Sequence, residues 1–144
     1  MGAGHRVVVT GSPAETQLTA TVAGPSAVDL GGRTGLAVLA GVLANAEVVV
    51  AGNTGPAHLA AAVGTPVVSL FSPVVPAIRW APYGVPLELL GDQNAPCRLS
   101  RARECPVPGH PCLGSVSPEN VVDAVERLLR GVSSLSTRRK VRWP

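Results

Sequence analysis

Short apolar runs alternate with segments of helical pattern along the first half of the chain. The runs are rich in valine and leucine and are bounded by glycine or proline, which is typical of buried strands. The segments between them carry helix start signals, such as Ser12 as a cap before Pro13. The pattern predicts strands over residues 5–10, 27–30, 47–51, 67–71 and 87–90, and helices over residues 13–23, 35–45, 56–63 and 118–129.

This alternation, with short connections, is typical of right-handed βαβ units, which build a parallel sheet with helices on both faces. Apolar residues make up 46% of the chain and aromatic residues only 3%, so the core must consist of valine, leucine and alanine. We therefore predict one α/β, Rossmann-like domain over residues 1–131. The helix at residues 35–45 is apolar on nearly all sides, and we expect it to be buried.

The regular alternation stops after Phe71. The prolines at positions 73, 76, 82 and 86 predict neither a helix nor a central strand between them. Residues 92–117 are predicted to form a long irregular loop that holds all three cysteines. Residues 132–144 are predicted to be a flexible basic tail.

The net charge of +3 does not indicate a nucleic-acid-binding surface. Four cations lie in the tail, and subtracting them from the net charge leaves −1 for the rest of the chain. They are Arg138, Arg139, Lys140 and Arg142. We predict no nucleic-acid partner and a solvated tail, with a peripheral contact to anionic lipid as the alternative.

The chain shows no membrane or export signal. No apolar window reaches the roughly 18 residues of a membrane span, and the first residues lack the layout of a signal peptide. The odd number of cysteines gives no closed set of disulfides. These features predict a cytoplasmic protein without a transmembrane segment.

The turn of residues 52–55 is the strongest candidate for a binding site. It lies beyond the carboxyl end of a predicted strand, where open parallel sheets bind ligands. The following helix presents unbonded N–H groups and a partial positive charge there, which suits a diphosphate. Thr54 and His58 add side-chain donors. The alternative is an ordinary strand–helix junction, with Thr54 as a cap and His58 on the surface.

Two other strand ends carry weaker candidates. Ser12 and the helix start that follows it could face a phosphate, and Glu15 could accept hydrogen bonds from ribose hydroxyls. A plain cap with an acidic residue in the first turn is the alternative. Arg33, in the turn of residues 32–35, could pair with phosphate or simply be solvated.

The cysteine-containing loop offers a weak candidate for a metal site. A Cys₃His zinc site would use Cys97, Cys105, His110 and Cys112, but no pair shows the short spacing of a zinc knuckle. A disulfide with one free thiol, or three plain thiols, are the alternatives. We predict no metal and no cofactor. The loop also holds three arginines that line a phosphate site or are solvated: Arg98, Arg101 and Arg103.

Residues 11–15 (GSPAE), residues 29–71 and the proline-rich segment around Trp80 match a known pattern in order and spacing. Over about residues 5–130 the chain resembles the C-terminal half of glycosyltransferase family 9, the ADP-heptose:lipopolysaccharide heptosyltransferases. The cysteine loop is also similar to loops of many members. The resemblance implies the C-terminal half of a GT-B architecture, in which this half binds the nucleotide sugar.

The donor motif of that family reads Asp-(Ser/Thr)-Gly-Pro-x-His, and residues 53–58 match it except at Asn53. The resemblance implies that Thr54, Gly55 and His58, together with Asn53, contact the diphosphate or the sugar. It also implies a ribose contact by Glu15 beside Ser12, and a backbone contact to the base at Thr34. Asn53 keeps the hydrogen-bonding capacity of the motif's acid but loses its charge. We therefore expect an ADP-heptose-like donor, whose base and sugar this motif does not determine.

The resemblance implies sugar transfer to a saccharide or lipid-linked acceptor in the synthesis of lipopolysaccharide or another cell-envelope glycan. The family's N-terminal domain binds the acceptor and supplies the catalytic base, and it has no counterpart in these 144 residues. We therefore assign no catalytic residue and expect this chain alone to be incomplete and inactive. The alternatives are a non-catalytic nucleotide-binding module and an inactive truncated remnant, with a 2-epimerase of the same architecture as a weaker third.

Overall fold

A computed structural model describes residues 4–138 of the protein, with side chains described up to Gly131. The strands are β1 (Val8–Val9), β2 (Val28–Asp29), β3 (Val49–Gly52), β4 (Val67–Leu70) and β5 (Leu87–Leu90). The helices are α1 (Thr16–Ala23), α2 (Leu36–Ala44), α3 (Gly55–Ala62), α4 (Ala77–Trp80), α5 (Pro111–Gly114) and α6 (Pro118–Arg138), and a 3₁₀ turn at Pro13–Glu15 precedes α1. All five predicted strands and all four predicted helices are present.

The described residues form two compact units, with the boundary between Asn45 and Ala46. In the first unit, β1 and β2 pair in parallel, with Val8 opposite Val28. Helix α1 packs on both strands and buries Thr19 and Ala23.

Close packing in the first unit depends on glycines. A Cβ atom at Gly11 would lie 2.6 Å from Thr19 Cγ2, and one at Gly31 would collide with the Thr19 hydroxyl. The backbone N–H of Gly32 donates to the Gly11 carbonyl at 2.9 Å. These contacts hold the turn after β2 against the turn after β1.

The predicted burial of the second helix is wrong. Leu43 is the single buried residue of α2, whereas Leu36 is 75% exposed and Val38 is 58% exposed. Apolar composition makes burial favourable, but a helix that is apolar all round needs neighbours on every side. Among the described residues, neighbours cover α2 at Leu43 and leave other apolar side chains of the helix exposed.

In the second unit, β4 lies between β3 and β5, and all three strands are parallel. Val67, Val68 and Phe71 are fully buried. Helix α6 covers the Val68 face through two buried residues, Ala124 and Leu128. Successive strand residues face opposite sides of a sheet, and α3 covers the other face with its own buried alanines. The α/β class with Rossmann-like parallel strands and helices on both faces is confirmed.

The proline-rich segment differs from the prediction that no helix lies between Pro73 and Pro86. A single turn, α4, forms at Ala77–Trp80. Pro76 occupies the position before its first residue, with φ −70° and ψ 124°, and Pro82 follows its end. The prolines flank this helix instead of interrupting it, so no helical hydrogen bond is lost.

The C-terminal region is partly more regular than predicted. The loop at residues 92–117 is irregular apart from the one-turn helix α5. Helix α6 continues to Arg138 and so includes the first part of the predicted tail; the remaining tail residues, 139–144, lie outside the described part of the chain. Among the described helices, none combines the length and apolar character needed to cross a membrane.

Candidate functional site

The turn between β3 and α3 is short and well ordered by its own backbone. Thr54 is the residue before α3 and is extended, with φ −133° and ψ 174°. Its N–H donates to the Gly52 carbonyl at 2.8 Å, and its carbonyl accepts from the Ala57 N–H at 3.1 Å. Pro56 lies in the first turn of the helix, where it lacks a donor that would be unbonded anyway. The turn therefore starts α3 abruptly at the carboxyl end of β3.

The start of α3 leaves donors without protein partners. Thr54 makes no side-chain cap hydrogen bond, and Thr54 and Gly55 are both exposed. In the described part of the structure no protein group accepts from the Gly55 N–H. A Cβ atom built on Gly55 would meet nothing within 4 Å. An anion could therefore approach the backbone at the positive end of the helix dipole.

His58 lies in the first turn of α3 and is exposed. It is three residues after Gly55, so both residues belong to the same face of the helix start. Its ring nitrogens are available to an anion that approaches this end of the helix.

Asn53 does not extend into solvent but binds the neighbouring loop. Its side-chain Nδ2 donates to the Ser72 carbonyl at 3.5 Å, and its Oδ1 accepts from the Ser72 N–H at 3.4 Å. Ser72 follows β4 in the chain, so this amide joins the loops that leave two adjacent strands. Sequence analysis missed Ser72, because it takes part through backbone atoms, which no side-chain motif reveals.

In the first unit, Ser12 and Glu15 bind each other. The Ser12 hydroxyl and the Ser12 N–H both donate to Glu15 Oε2, at 2.7 Å and 2.8 Å. The hydrogen bonds from the hydroxyl and from the N–H hold the pKa of the Glu15 carboxyl below its usual value. The carboxylate is thus ionised and oriented, and these bonds leave its Oε1 as an acceptor.

Thr34 and Arg33 lie in the turn between β2 and α2. Thr34 is half-buried and Arg33 is exposed, with its N–H bonded to the Leu30 carbonyl at 3.0 Å. This turn is the one that Gly32 attaches to the turn after β1. The predicted site residues therefore fall into two groups: Ser12, Glu15 and Thr34 in the first unit, and Asn53, Thr54, Gly55 and His58 in the second.

The four candidate metal ligands of the cysteine loop lie in different environments. Cys97 and Cys112 are buried together in a small apolar cluster, whereas Cys105 and His110 are exposed. Cys105 donates its thiol hydrogen to the Val107 carbonyl at 3.2 Å. Across the described residues, no group of three or more His, Cys, Asp or Glu side chains could hold a metal ion. Two of the four candidate ligands belong to the buried core of the loop, and the structure does not bring the four together.

Burial affects the acidity of the Cys97 thiol. Burial, reinforced by the adjacent Cys112 thiol, raises the pKa of Cys97 above its usual value. A raised pKa lowers the fraction of reactive thiolate. All three cysteines are free, which agrees with the alternative of three plain thiols.

A groove follows directly after Ser72. It has a volume of about 270 Å³ and is bounded by the proline-rich segment and the start of the cysteine loop. Arg98 lines it and is exposed. Of the three arginines noted in the sequence, Arg98 lines this groove, and Arg101 and Arg103 do not. The lining residues are Pro73, Val75, Pro76, Ala77, Ile78, Gln93, Arg98 and Leu99.

Solved structures with a similar fold include two glycosyltransferases. A glycosyl transferase family 9 protein from Veillonella parvula DSM 2008 superimposes with a TM-score of 0.72 at 20% identity, over 90% of this chain. ADP-heptose LPS heptosyltransferase II of E. coli superimposes with a TM-score of 0.70, also at 20% identity, over 92% of this chain. This chain spans 38% of the length of each of them.

A comparison with curated protein sequences gives no match. The model of glycosyltransferase family 9 (heptosyltransferase) matches residues 1–110, which is most of the chain and includes both groups of candidate site residues. On this match, the chain belongs to glycosyltransferase family 9.

Proposed function

We propose that this chain binds the nucleotide-sugar donor of a family 9 glycosyltransferase. The observation that carries the proposal is the start of α3, where the exposed Thr54 hydroxyl and Gly55 N–H have no described protein partner. It lies within the segment that the family model matches. The ligand class follows from the chemistry, since the positive end of a helix with free donors favours a phosphate or diphosphate.

The diphosphate would bind across the start of α3. The Gly55 N–H and the Thr54 hydroxyl would donate to phosphate oxygens. Because Gly55 has no side chain, the phosphate could come close to the backbone. His58 would donate from the same first turn to the diphosphate or to the sugar. The Asn53 side chain is bonded to Ser72 and would affect ligand binding indirectly, by fixing the position of this turn.

The ribose would be bound by Glu15. Its Oε2 is occupied by Ser12, so Oε1 is the oxygen left to accept from ribose hydroxyls. The lowered pKa keeps this carboxylate ionised near neutral pH. Thr34 would present its backbone to the base.

The reaction we propose is transfer of a sugar from an ADP-heptose-like donor to a saccharide or lipid-linked acceptor. In such a transfer the bond to the sugar carbon breaks and negative charge builds up on the departing diphosphate. The α3 N-terminus would stabilise that charge through donors already in place. In this proposal an N-terminal domain binds the acceptor and supplies the catalytic base. We assign no catalytic residue within this chain.

A thermal-shift titration tests the proposal. The purified chain is mixed with ADP, GDP, UDP and their sugar conjugates, and the melting temperature is followed. A ligand that binds only the folded state adds stability, about 2.7 kcal/mol at one hundred times Kd. We expect the nucleotides of one base to raise the melting temperature clearly more than the others. That result also identifies the base of the donor.

The exposed apolar side chains favour one second candidate, an inactive remnant that binds no nucleotide. Leu18, Val22, Leu36 and Val38 are each 58–75% exposed, and a large exposed apolar surface marks an interaction site or an aggregation-prone one. The titration separates the two: a remnant shows no rise with any nucleotide at millimolar concentration and self-associates on concentration.

A further inference from the structure

The Asn53 side chain is matched to the peptide group that it faces. Its amide has an acceptor oxygen and a donor nitrogen, and the Ser72 peptide group engages each of them once, through its N–H at 3.4 Å and its carbonyl at 3.5 Å. Each bond is long, but together they form the two-point pairing that adjacent strands make with each other. A carboxylate could make only the first of these bonds, because it has no hydrogen to donate.

Ser72 is attached to a rigid part of the second unit. The residue before it, Phe71, is fully buried, and its N–H donates to the Leu90 carbonyl at 2.7 Å. The Phe71 carbonyl accepts from Gln93 Nε2 at 2.9 Å. The Ser72 hydroxyl also accepts from the Cys112 thiol at 3.8 Å. Asn53 is therefore bonded to a segment that the sheet and the cysteine loop hold from two sides.

Apart from the Asn53 side chain, the turn is held by backbone hydrogen bonds of Thr54. Thr54 and Gly55 follow Asn53 directly, are exposed, and Thr54 lacks a side-chain cap. Their position depends on the backbone bonds of Thr54 with Gly52 and Ala57 and on the Asn53 side chain. Loss of the two Ser72 bonds would let the donors of Thr54 and Gly55 move relative to each other.

We propose that Asn53 is a positioning residue, which fixes the anion-binding turn by clamping it to the Ser72 backbone and does not itself bind the ligand. This inference rests on the proposed function for the role of the turn. It also explains how an amide can stand where the family motif has an acid: the oxygen that accepts from the Ser72 N–H is common to both.

Three variants separate a clamp from a direct ligand contact. Asn53→Asp keeps the acceptor and loses the donor, whereas Asn53→Ala loses both. With ADP, or whichever nucleoside diphosphate binds most tightly, we expect Kd to rise about threefold in Asn53→Asp and about tenfold in Asn53→Ala, as expected for one and two modest hydrogen bonds. Asn94→Ala makes the same chemical change at an exposed site in the same unit and should leave Kd unchanged.

The order of the variants decides the matter. If Asn53 touched the diphosphate, the new carboxylate would repel it and Asn53→Asp would be the weakest binder, which overturns the proposal. Equal Kd values for wild type and Asn53→Ala would also overturn it, whatever the loss in melting temperature, because a purely structural role lowers stability without changing affinity.

Amide hydrogen exchange at Ser72 tests the clamp without any ligand. We expect the Ser72 N–H to be protected in wild type and Asn53→Asp, and to exchange about tenfold faster in Asn53→Ala. Unchanged exchange in Asn53→Ala contradicts the clamp. Failure of wild type to bind any nucleotide contradicts the proposed function instead, and leaves the exchange result to decide whether the clamp exists.

Discussion

Two turns of this protein look alike in sequence and differ in how their hydrogen bonds are used. Residues 11–15 and residues 52–55 each follow a strand, begin with glycine, contain a hydroxyl residue and lead into a helical turn with an early proline. At the first turn, both donors of Ser12 are bonded to Glu15. At the second, Thr54 makes no cap bond.

The glycines of the two turns differ in the same way. A side chain at Gly11 or Gly31 would run into Thr19, so these glycines allow a close approach of chain segments within the first unit. A side chain at Gly55 would meet open space. One turn thus uses its residues to hold itself together, and the other leaves backbone and donors accessible, which is the property a ligand site requires.

The largest expected effect comes from exchanging glycine for alanine in each turn. Gly11→Ala would place its new methyl group 2.6 Å from Thr19 Cγ2, and Thr19 is buried and bonded to the Thr16 carbonyl. We expect a loss of about 3 kcal/mol in the free energy of unfolding, measured by urea denaturation.

Gly55→Ala is the matched control for that prediction. Its methyl group enters open space, so its unfolding free energy should stay within about 1 kcal/mol of wild type, the helix-propensity change from glycine to alanine. Equal destabilisation by the two substitutions would contradict the difference in packing between the two turns.

A smaller effect is expected from removing the donors of the second turn. Thr54→Ala and His58→Ala should each weaken nucleoside diphosphate binding about tenfold, because each removes a hydrogen bond to a charged group. Both residues are exposed, so folding stability should change by less than about 0.5 kcal/mol. Isothermal titration measures the affinity, and His5→Ala, an exposed histidine of the first unit, is the control. Wild-type affinity in both variants would remove this turn from the binding site.

The smallest effect sharpens the view of the first turn as internally bonded. Ser12→Ala removes the main cause of the lowered Glu15 pKa, so that pKa should rise towards its usual value. A lowered folded pKa stabilises at pH above the unfolded value, and this contribution is lost as pH falls through the folded value. Ser12→Ala should therefore lose a small stabilisation at neutral pH.

An NMR titration of the glutamate carboxyl carbons measures this change. Glu88 is the internal control, because its pKa is lowered by Arg127, which pairs with it at 2.9 Å. We expect the Glu88 pKa to stay low in Ser12→Ala while the Glu15 pKa rises. An unmoved Glu15 pKa would mean that Ser12 does not hold this carboxylate.

The sequence predicted the elements well because their signals are local. Short apolar runs and helical patterns, together with bounding glycines and prolines, predict the five strands and the four longer helices of the described structure. The helix α4 is not predicted, because a series of prolines indicates a segment without helices. Pro76 and Pro82, however, lie outside the helical turn that they flank. The exposure of α2 was missed because apolar pattern reports preference and not the presence of a partner.

The candidate site was predictable in position and less so in its internal bonding. The Ser12–Glu15 contact spans three residues and can be anticipated from helix-capping rules. The contact of Asn53 with Ser72 spans 19 residues and uses the backbone of the partner, so it depends on the pairing of β3 with β4. The burial of Cys97 with Cys112 likewise depends on the path of the loop and not on cysteine spacing.

The most direct test of the difference between the two turns is an NMR titration of the ¹⁵N-labelled chain with the nucleoside diphosphate that binds best. The account predicts saturable shifts at the Thr54 and Gly55 amides, in step with the affinity measured by calorimetry. Ligand binding that saturates elsewhere in the spectrum, with the Thr54 and Gly55 amides unmoved, would contradict it.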